Sequence, residues 1–319
     1  MKKVGIIGGS GYTGGELIRL VLHHPALALD FIYSTTRPGT PLHDTHVDLL
    51  GTETPNFTDK INLAVDVVFL CVGHGKSGGF LKENKFSEAT IIIDLSNDFR
   101  LKNDASFQGY NFVYGLPELQ RETIEKATAI ANPGCFATAI QLALLPLARK
   151  GMITNPVHIN ATTGSTGAGV GLSASSHFSW RNNNLSWYKP FTHQHLGEIG
   201  ETLNNPKLYF LPQRGDFTRG IFASCYTFFD GNLEDAKTIY KDFNKSHPFT
   251  HVSENEVALK QVINTNNCAI HLHQFEDQLL ITSVIDNLIK GASGQAIQNL
   301  NLIMGWEEDL GLRLKASIF

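Results

Sequence analysis

No stretch of this chain approaches the roughly 20 consecutive apolar residues that a membrane-spanning helix needs. Positive charge is not in excess either: 26 Lys and Arg face 30 Asp and Glu, a formal net charge of −4 over 319 residues. Nucleic acid and membranes are therefore not expected as partners, although a local anion site stays open. Cysteine is scarce. Cys71, Cys135, Cys225 and Cys268 stand far apart, with no C-x-x-C pair and no histidine at zinc-binding spacing. Neither a disulfide framework nor a metal site is expected, and free thiols in a reducing cytoplasm are the simplest reading. The start, MKKVGIIGGSGYTGGEL, has lysines ahead of an apolar stretch, but that stretch breaks at Gly8-Gly9. A secretory segment would need about 7–15 apolar residues there. Internal repeats and low-complexity tracts are also lacking. What the chain does have is 42% apolar and 18% charged residues, a globular balance, at a length that predicts two domains.

The first segments read as strand, glycine turn and helix. KKVGIIG is a short β-branched run, GGSGYTG follows, and GELIRLVLHHP places Leu17, Leu20 and Val21 at helical spacing with Pro25 beyond. Gly9, Gly11 and Gly14 satisfy G-x-G-x-x-G in the strand-to-helix context where the pattern binds a dinucleotide. The first glycine is expected to make the tight turn, the second to let a pyrophosphate approach, the third to let helix and strand pack. Ser10, Tyr12 and Thr13 lie among them as further candidate cofactor contacts. The second strand, LALDFIYS, ends in Ser34-Thr35-Thr36-Arg37 rather than in Asp or Glu. Ser34, Thr35 and Arg37 suit a 2′-phosphate better than a ribose diol, so NADP(H) is expected over NAD, unless Arg37 is only a solvated loop residue. Two more buried parallel strands are predicted, in VDVVFLCVG and ATIIIDLS, leading into GHGKSGG and NDFRL. Strand C-termini face the ligand crevice in such sheets. His74, Ser96, Asn97 and Arg100 therefore fall on the functional edge, while Cys71 reads as core.

In ATAIANPGCFATAIQLALLPLARKG, Pro133-Gly134 make a turn and Cys135 begins a strongly apolar helix. Orphan N–H groups and the helix dipole favour a thiolate at that place. A structural cysteine at a helix start is the alternative. Next to a nicotinamide, a nucleophilic cysteine fits a thiohemiacetal–thioester cycle, which needs an acid/base near the sulfur and donors for the oxygen.

IANPGCFATAIQLALLP resembles the active-site segment of the N-acetyl-gamma-glutamyl-phosphate reductases of arginine biosynthesis, relatives of aspartate-semialdehyde dehydrogenase. GSGYTGGELIRLVLHHP, VVFLCVGHG, IIDLSNDFRL, YGLPEL, FTHQHLGEI and DNLIKGASGQAIQNLNLIMG resemble further family segments in family order, so the likeness spans nearly the whole chain. The resemblance implies an α/β fold: a Rossmann-type parallel-sheet cofactor domain, 1–134 plus 291–319, and an α+β catalytic and dimerisation domain, 135–290. It implies NADPH-dependent reduction of an N-acyl-gamma-glutamyl phosphate to the semialdehyde with release of phosphate, in a dimer or tetramer. Carried over residue by residue, Cys135 is the nucleophile. His193, His195 and Glu198 match the family's His-x-His-x-x-Glu, with either histidine as acid/base and Glu198 placed to orient one. Arg100, Arg219 and Asn97 fall at substrate positions, Arg100 with a structural ion pair as its alternative; Asn287 opens a segment expected beside the nicotinamide.

Two segments depart from the family pattern: Val170 stands where an Arg is common, and PQRGDF, with Gln213 and Asp216, replaces a His-x-x-Pro. An N-succinyl group in place of N-acetyl, met by Arg214, is one expectation from this. An aspartate-semialdehyde dehydrogenase-like reductase acting on another acyl phosphate is the alternative activity, and HQHLGEI and GYTGGEL speak against it. A degenerate scaffold would not need Cys135 with both histidines, and a Cys-His hydrolase would not need the glycine turn.

Overall fold

A computed structural model describes residues 1–318. It divides into two compact units: Met1–Leu116, Gln120–Pro133 and Ala292–Leu312 form the first, and Pro117–Leu119, Gly134–Gly291 and the segment from Arg313 on form the second. Residues 117–119, Gly134, Gly291 and the segment from Arg313 on cluster with the second unit, whereas the resemblance implies the cofactor domain for them. The chain changes unit within one short helix, at Gln120, whose φ of −154° is not helical.

The first unit is built on one eight-stranded sheet. Its strands are β1 (Lys2–Ile7), β2 (Leu27–Tyr33), β3 (Phe57–Thr58), β4 (Val67–Leu70), β5 (Ile91–Asp94), β6 (Ser106–Phe107), β7 (Tyr110–Tyr114) and β8 (Ala129–Ala131), in the order β3-β2-β1-β4-β5-β8-β7-β6. All pairings are parallel except β6 with β7. Strands β1, β4 and β5 are apolar runs because a parallel sheet covered on both faces gives no alternate residue to water; β4 and β5 are buried at every position. Helices α1 (Tyr12–His23), α2 (Ser77–Glu83) and α3 (Pro117–Ile124) lie along the chain here. Strand order reverses on either side of β1, which makes the C-terminal ends of β1 and β4 the expected ligand crevice. Cys71 lies one residue beyond β4 and is half-buried rather than enclosed in a strand.

The second unit pairs helix α4 (Cys135–Arg149) with a seven-stranded sheet made of β9 (Val157–Thr163), β10 (Ser186–Trp187), β11 (Leu208–Arg214), β12 (Ile221–Phe228), β13 (Thr250–Ser253), β14 (Cys268–Phe275) and β15 (Gln278–Ile285). Their order is β10-β11-β9-β12-β15-β14-β13, mostly antiparallel. Helices α5 (Phe178–Arg181), α6 (Leu196–Thr202) and α7 (Leu233–Asn244) complete it, while α8 (Gly294–Ile303) belongs to the first unit. α8 stops at Ile303, and the segment MGWEEDLGL that follows gives way to turns.

Burial alternates along β12, with Ile221, Ala223 and Cys225 inside and Phe222, Ser224 and Tyr226 outside, as one covered face requires. α4 packs on the covered face, and every residue from Phe136 to Leu147 is buried. The Tyr240 hydroxyl of α7 donates to the Ala143 carbonyl at 2.5 Å, tying the two helices. The other face carries His158 stacked between Tyr209 and Tyr226, at centroid distances of 5.0 and 5.1 Å. Among the described residues no helix is long and apolar enough to cross a membrane.

Candidate active site

In the first unit the glycine turn is built by exclusion. Gly8, not Gly9, takes the left-handed conformation, with φ +80°, because β1 turns away from the sheet there. That corrects the role expected of Gly9. A Cβ on Gly9 would lie 2.1 Å from Cγ2 of Ile32, and one on Gly14 would lie 2.7 Å from the Cα of Gly9, so these two glycines close the turn against β2 and α1. A Cβ on Gly11 would meet only the Gly8 carbonyl, at 4.0 Å, so this glycine faces open space. α1 begins at Tyr12 with no side-chain cap and no acidic residue in its first turn. Its positive end is thus not already answered by a carboxylate, and a dinucleotide diphosphate fits it. Outside the motif, His46 donates from Nε2 to the Gly9 carbonyl at 2.7 Å, a brace that the sequence pattern did not reveal because His46 is 37 residues away.

At the end of β2, Ser34 is buried and its hydroxyl lies 3.3 Å from that of Thr36, while Thr35 and Arg37 are exposed. The loops after β4 and β5 are stitched together. The Asp98 carboxylate accepts the N–H groups of Gly75 and Gly78, at 2.6 and 3.2 Å, and His74 Nδ1 accepts from Asn97 N–H at 3.2 Å. Ser96 does not face outward as expected. It is fully buried, and its hydroxyl donates to Asp94 at 2.6 Å, with Ser77 donating to the same carboxylate at 2.5 Å. Burial pushes the Asp94 carboxyl up to about 6 against these hydrogen bonds. Although Cys71 as a whole is half-buried, its thiol is enclosed, and this burial pushes it up, with Asp94 adding to the effect. Arg100 is buried and donates to the carbonyls of Asn132 and Leu95, at 2.9 and 3.1 Å, bracing the ends of β5 and β8.

In the second unit, Cys135 is half-buried at the first position of the fifteen-residue α4, after an extended Gly134 that supplies no side-chain cap. His193 and His195 are 4% and 5% exposed, and their rings meet edge to face at 4.6 Å. Phe136, next to Cys135, packs against both, with centroids at 5.5 and 6.4 Å. His193 Nδ1 accepts the backbone N–H of His195 at 3.2 Å, so the neutral ring carries its proton on Nε2. Glu198 opens out from the first turn of α6. Its Oε2 accepts the N–H of Gly134 at 3.1 Å, and its Oε1 stands 3.9 Å from His195 Nε2. One carboxylate therefore spans the turn before the thiol and a histidine. Gly291 closes the other side: a Cβ there would lie 2.8 Å from that of Cys135.

Tyr188 was not singled out by sequence and belongs here. It packs on His193 and Phe136, at 5.5 and 6.4 Å, and the Arg214 guanidinium stacks on its ring at 4.5 Å. Burial and the charge of Cys135 both push its phenol up. No spacing rule would have found it, because it reaches the site through a loop.

Arg219 forms a bidentate pair with Asp286, at 3.1 and 3.2 Å. Asn287, expected beside the nicotinamide, is 2% exposed; it accepts from Gly220 N–H at 2.6 Å and donates to Thr166 Oγ1 at 3.1 Å. It fixes the loop that carries Arg219. Among the described residues there is no cluster of three or more His, Cys, Asp or Glu side chains that could hold a metal ion.

The semialdehyde dehydrogenase NAD-binding domain matches residues 3–127, and the semialdehyde dehydrogenase dimerisation domain matches residues 135–287. The chain is 60% identical to the N-acetyl-gamma-glutamyl-phosphate reductase of Flavobacterium johnsoniae and 56% identical to that of Christiangramia forsetii, over the full length of both partners in each case. Among solved structures, aspartate semialdehyde dehydrogenase II from Vibrio cholerae superposes with a TM-score of 0.71 at 16% identity, covering 96% of this chain and 99% of that one. Aspartate semialdehyde dehydrogenase with NADP from Candida albicans gives 0.69 at 15%, covering 96% and 99%. At these identities the structural likeness speaks for the fold.

Proposed function

The chain belongs to the N-acetyl-gamma-glutamyl-phosphate reductase family, and on that premise we propose how its residues carry the reaction. The activity is reduction of N-acetyl-gamma-glutamyl phosphate to the semialdehyde with a nicotinamide cofactor, a step of arginine biosynthesis. Cys135 attacks the acyl carbonyl carbon, the bond to the phosphate oxygen breaks, and inorganic phosphate leaves with the electron pair. A thioester on Cys135 results. When bound, the reduced nicotinamide supplies the hydride that reduces this carbon. The positive end of α4 favours the thiolate at the start and again as the C–S bond breaks.

His195 takes the thiol proton and later returns it to the sulfur. The observation that carries this assignment is the position of Glu198, 3.1 Å from the Gly134 amide and 3.9 Å from His195 Nε2. Its charge supports the imidazolium that forms, while His193 holds the His195 backbone. Arg219 meets an anionic group of the substrate. Arg100 and Asn97, the other substrate candidates, stand at strand ends of the first unit. There Gly9, Ser10, Gly11, Tyr12, Thr13 and Gly14 would hold the diphosphate.

The cofactor is NADP(H) in this reading, because β2 ends in hydroxyls and Arg37 rather than a carboxylate. Arg37→Ala is expected to reduce the ratio of kcat/KM for NADPH over NADH by about tenfold. A homodimer is the expected assembly, through the open face of the seven-stranded sheet. A succinyl in place of the acetyl group is a second reading, favoured by the Arg214 guanidinium stacked beside the site on Tyr188. The test is phosphate-dependent reduction of NADP by N-acetyl- and by N-succinyl-glutamate semialdehyde. Cys135→Ser should lose this activity by at least about a thousandfold and still bind NADPH. Turnover retained in that variant would refute the thioester route, and a strong preference for acetyl would remove the succinyl reading.

A further inference from the structure

Asp286 follows β15 and is fully buried, yet its carboxylate gathers five donors. Oδ2 accepts from Arg219 Nε at 3.1 Å and from the Asn264 N–H at 2.7 Å. Oδ1 accepts from Arg219 Nη2 at 3.2 Å and from the N–H groups of Leu288 and Ile289, at 2.8 and 3.2 Å. The Asp286 carbonyl takes the Gly291 N–H at 2.9 Å, and Gly291 is the residue pressed against Cys135. One residue therefore joins an arginine to the turn that walls the nucleophile. The next residue, Asn287, holds the backbone just after Arg219 through the Gly220 N–H. The Arg219 side chain is 22% exposed, whereas the Asp286 side chain that clamps it is fully buried.

We propose that Asp286 is a positioning residue for the reaction: it fixes the plane of Arg219 to receive an anionic group of the substrate, in register with Cys135. The inference rests on the reading of Arg219 as a substrate contact. A planar guanidinium already held in one orientation loses less rotamer freedom on meeting a carboxylate or phosphate than a mobile one does. The bidentate geometry also sets direction, which a lone charge would not. A purely structural ion pair would have no need to be partly exposed at a substrate arginine, nor to share its carboxylate with the turn at the thiol.

A double-variant cycle tests this, with N-acetyl-glutamate semialdehyde, phosphate and NADP as reactants. Asp286→Asn keeps the shape and removes the charge. It is expected to raise KM for the semialdehyde by about tenfold or more, with a smaller change in kcat and an unchanged dissociation constant for NADPH, read by fluorescence. Arg219→Ala should do the same, and the double variant should match Arg219→Ala within about twofold, since Asp286 acts through that arginine. A KM for Asp286→Asn within about twofold of wild type overturns the proposal, as does a double-variant loss equal to the product of the single losses. If Asp286→Asn does not fold by circular dichroism, free guanidinium ion is added to Arg219→Ala, where the intact Asp286 should seat it and restore activity; no restoration overturns the proposal. Failure of the underlying function would look different, as wild-type enzyme with no turnover of this substrate.

Discussion

Asp94 is the residue whose titration leaves the clearest mark. Its carboxyl sits near 6 because burial outweighs the hydroxyls of Ser77 and Ser96, whereas in the unfolded chain it titrates near the ordinary aspartate value of 3.8. Below the lower value both states hold the proton. Between the two, the folded state keeps a proton that the unfolded chain has lost, so this group's contribution to stability falls as pH rises through 6. The full swing is about 3 kcal/mol. Asp94→Asn has no such titration. The stability advantage of wild type over this variant, from urea midpoints, should therefore be larger at pH 4 than at pH 7, and a gap independent of pH would contradict the burial argument. Cys135 was legible at this scale, since a cysteine after Pro-Gly at the head of an apolar helix has a physical reason to be reactive. Tyr188 and Asp286 were not, because what distinguishes them is which distant side chains they touch.

Among the elements, the turn Ile289–Ser293 matters more than its length implies. It is a π-helical turn, its first amides are held by Asp286, and it brings Gly291 to Cys135. Overpacking at such a contact costs about 1–3 kcal/mol and moves one partner. Gly291→Ala is thus expected to lower kcat by at least about tenfold, while the melting temperature falls by only a few degrees. The check is kcat together with the rate of Cys135 alkylation by iodoacetamide; an unaltered alkylation rate would mean that the thiol had not moved. Strand β1, helix α1 and helix α4 were readable from hydrophobic period and punctuation. The π-turn was not, because GAS carries no local signal for i→i+5 hydrogen bonding.

For the molecule as a whole, the open face of the seven-stranded sheet is the feature that a monomer leaves unexplained. His158, Phe191, Tyr209, Leu211 and Tyr226 line a concavity of about 320 Å³ there, and Tyr226 and Phe191 are 37% and 54% exposed. Such an aromatic surface is the kind that a second copy covers. Tyr226→Asp should give a monomer at micromolar concentration by light scattering, with its circular dichroism intact; a dimer in that variant would place the interface elsewhere.

Local sequence alone sets the strand–turn–helix start, the parallel sheet that follows it, the cysteine at the head of α4 and the likeness to one family. All of these depend on residues close together in the chain, where period, glycine and proline act directly on the backbone. Tertiary packing makes Gly8 rather than Gly9 the left-handed residue of the turn, bonds Ser96 to Asp94 and Asn287 to Gly220 and Thr166, and sets Glu198 between Gly134 and His195. It also decided that Asp286 holds Arg219, 67 residues earlier in the chain. Those outcomes follow from which buried donors find which buried acceptors, and a buried polar group is satisfied by whatever packing brings near it, irrespective of distance in the chain.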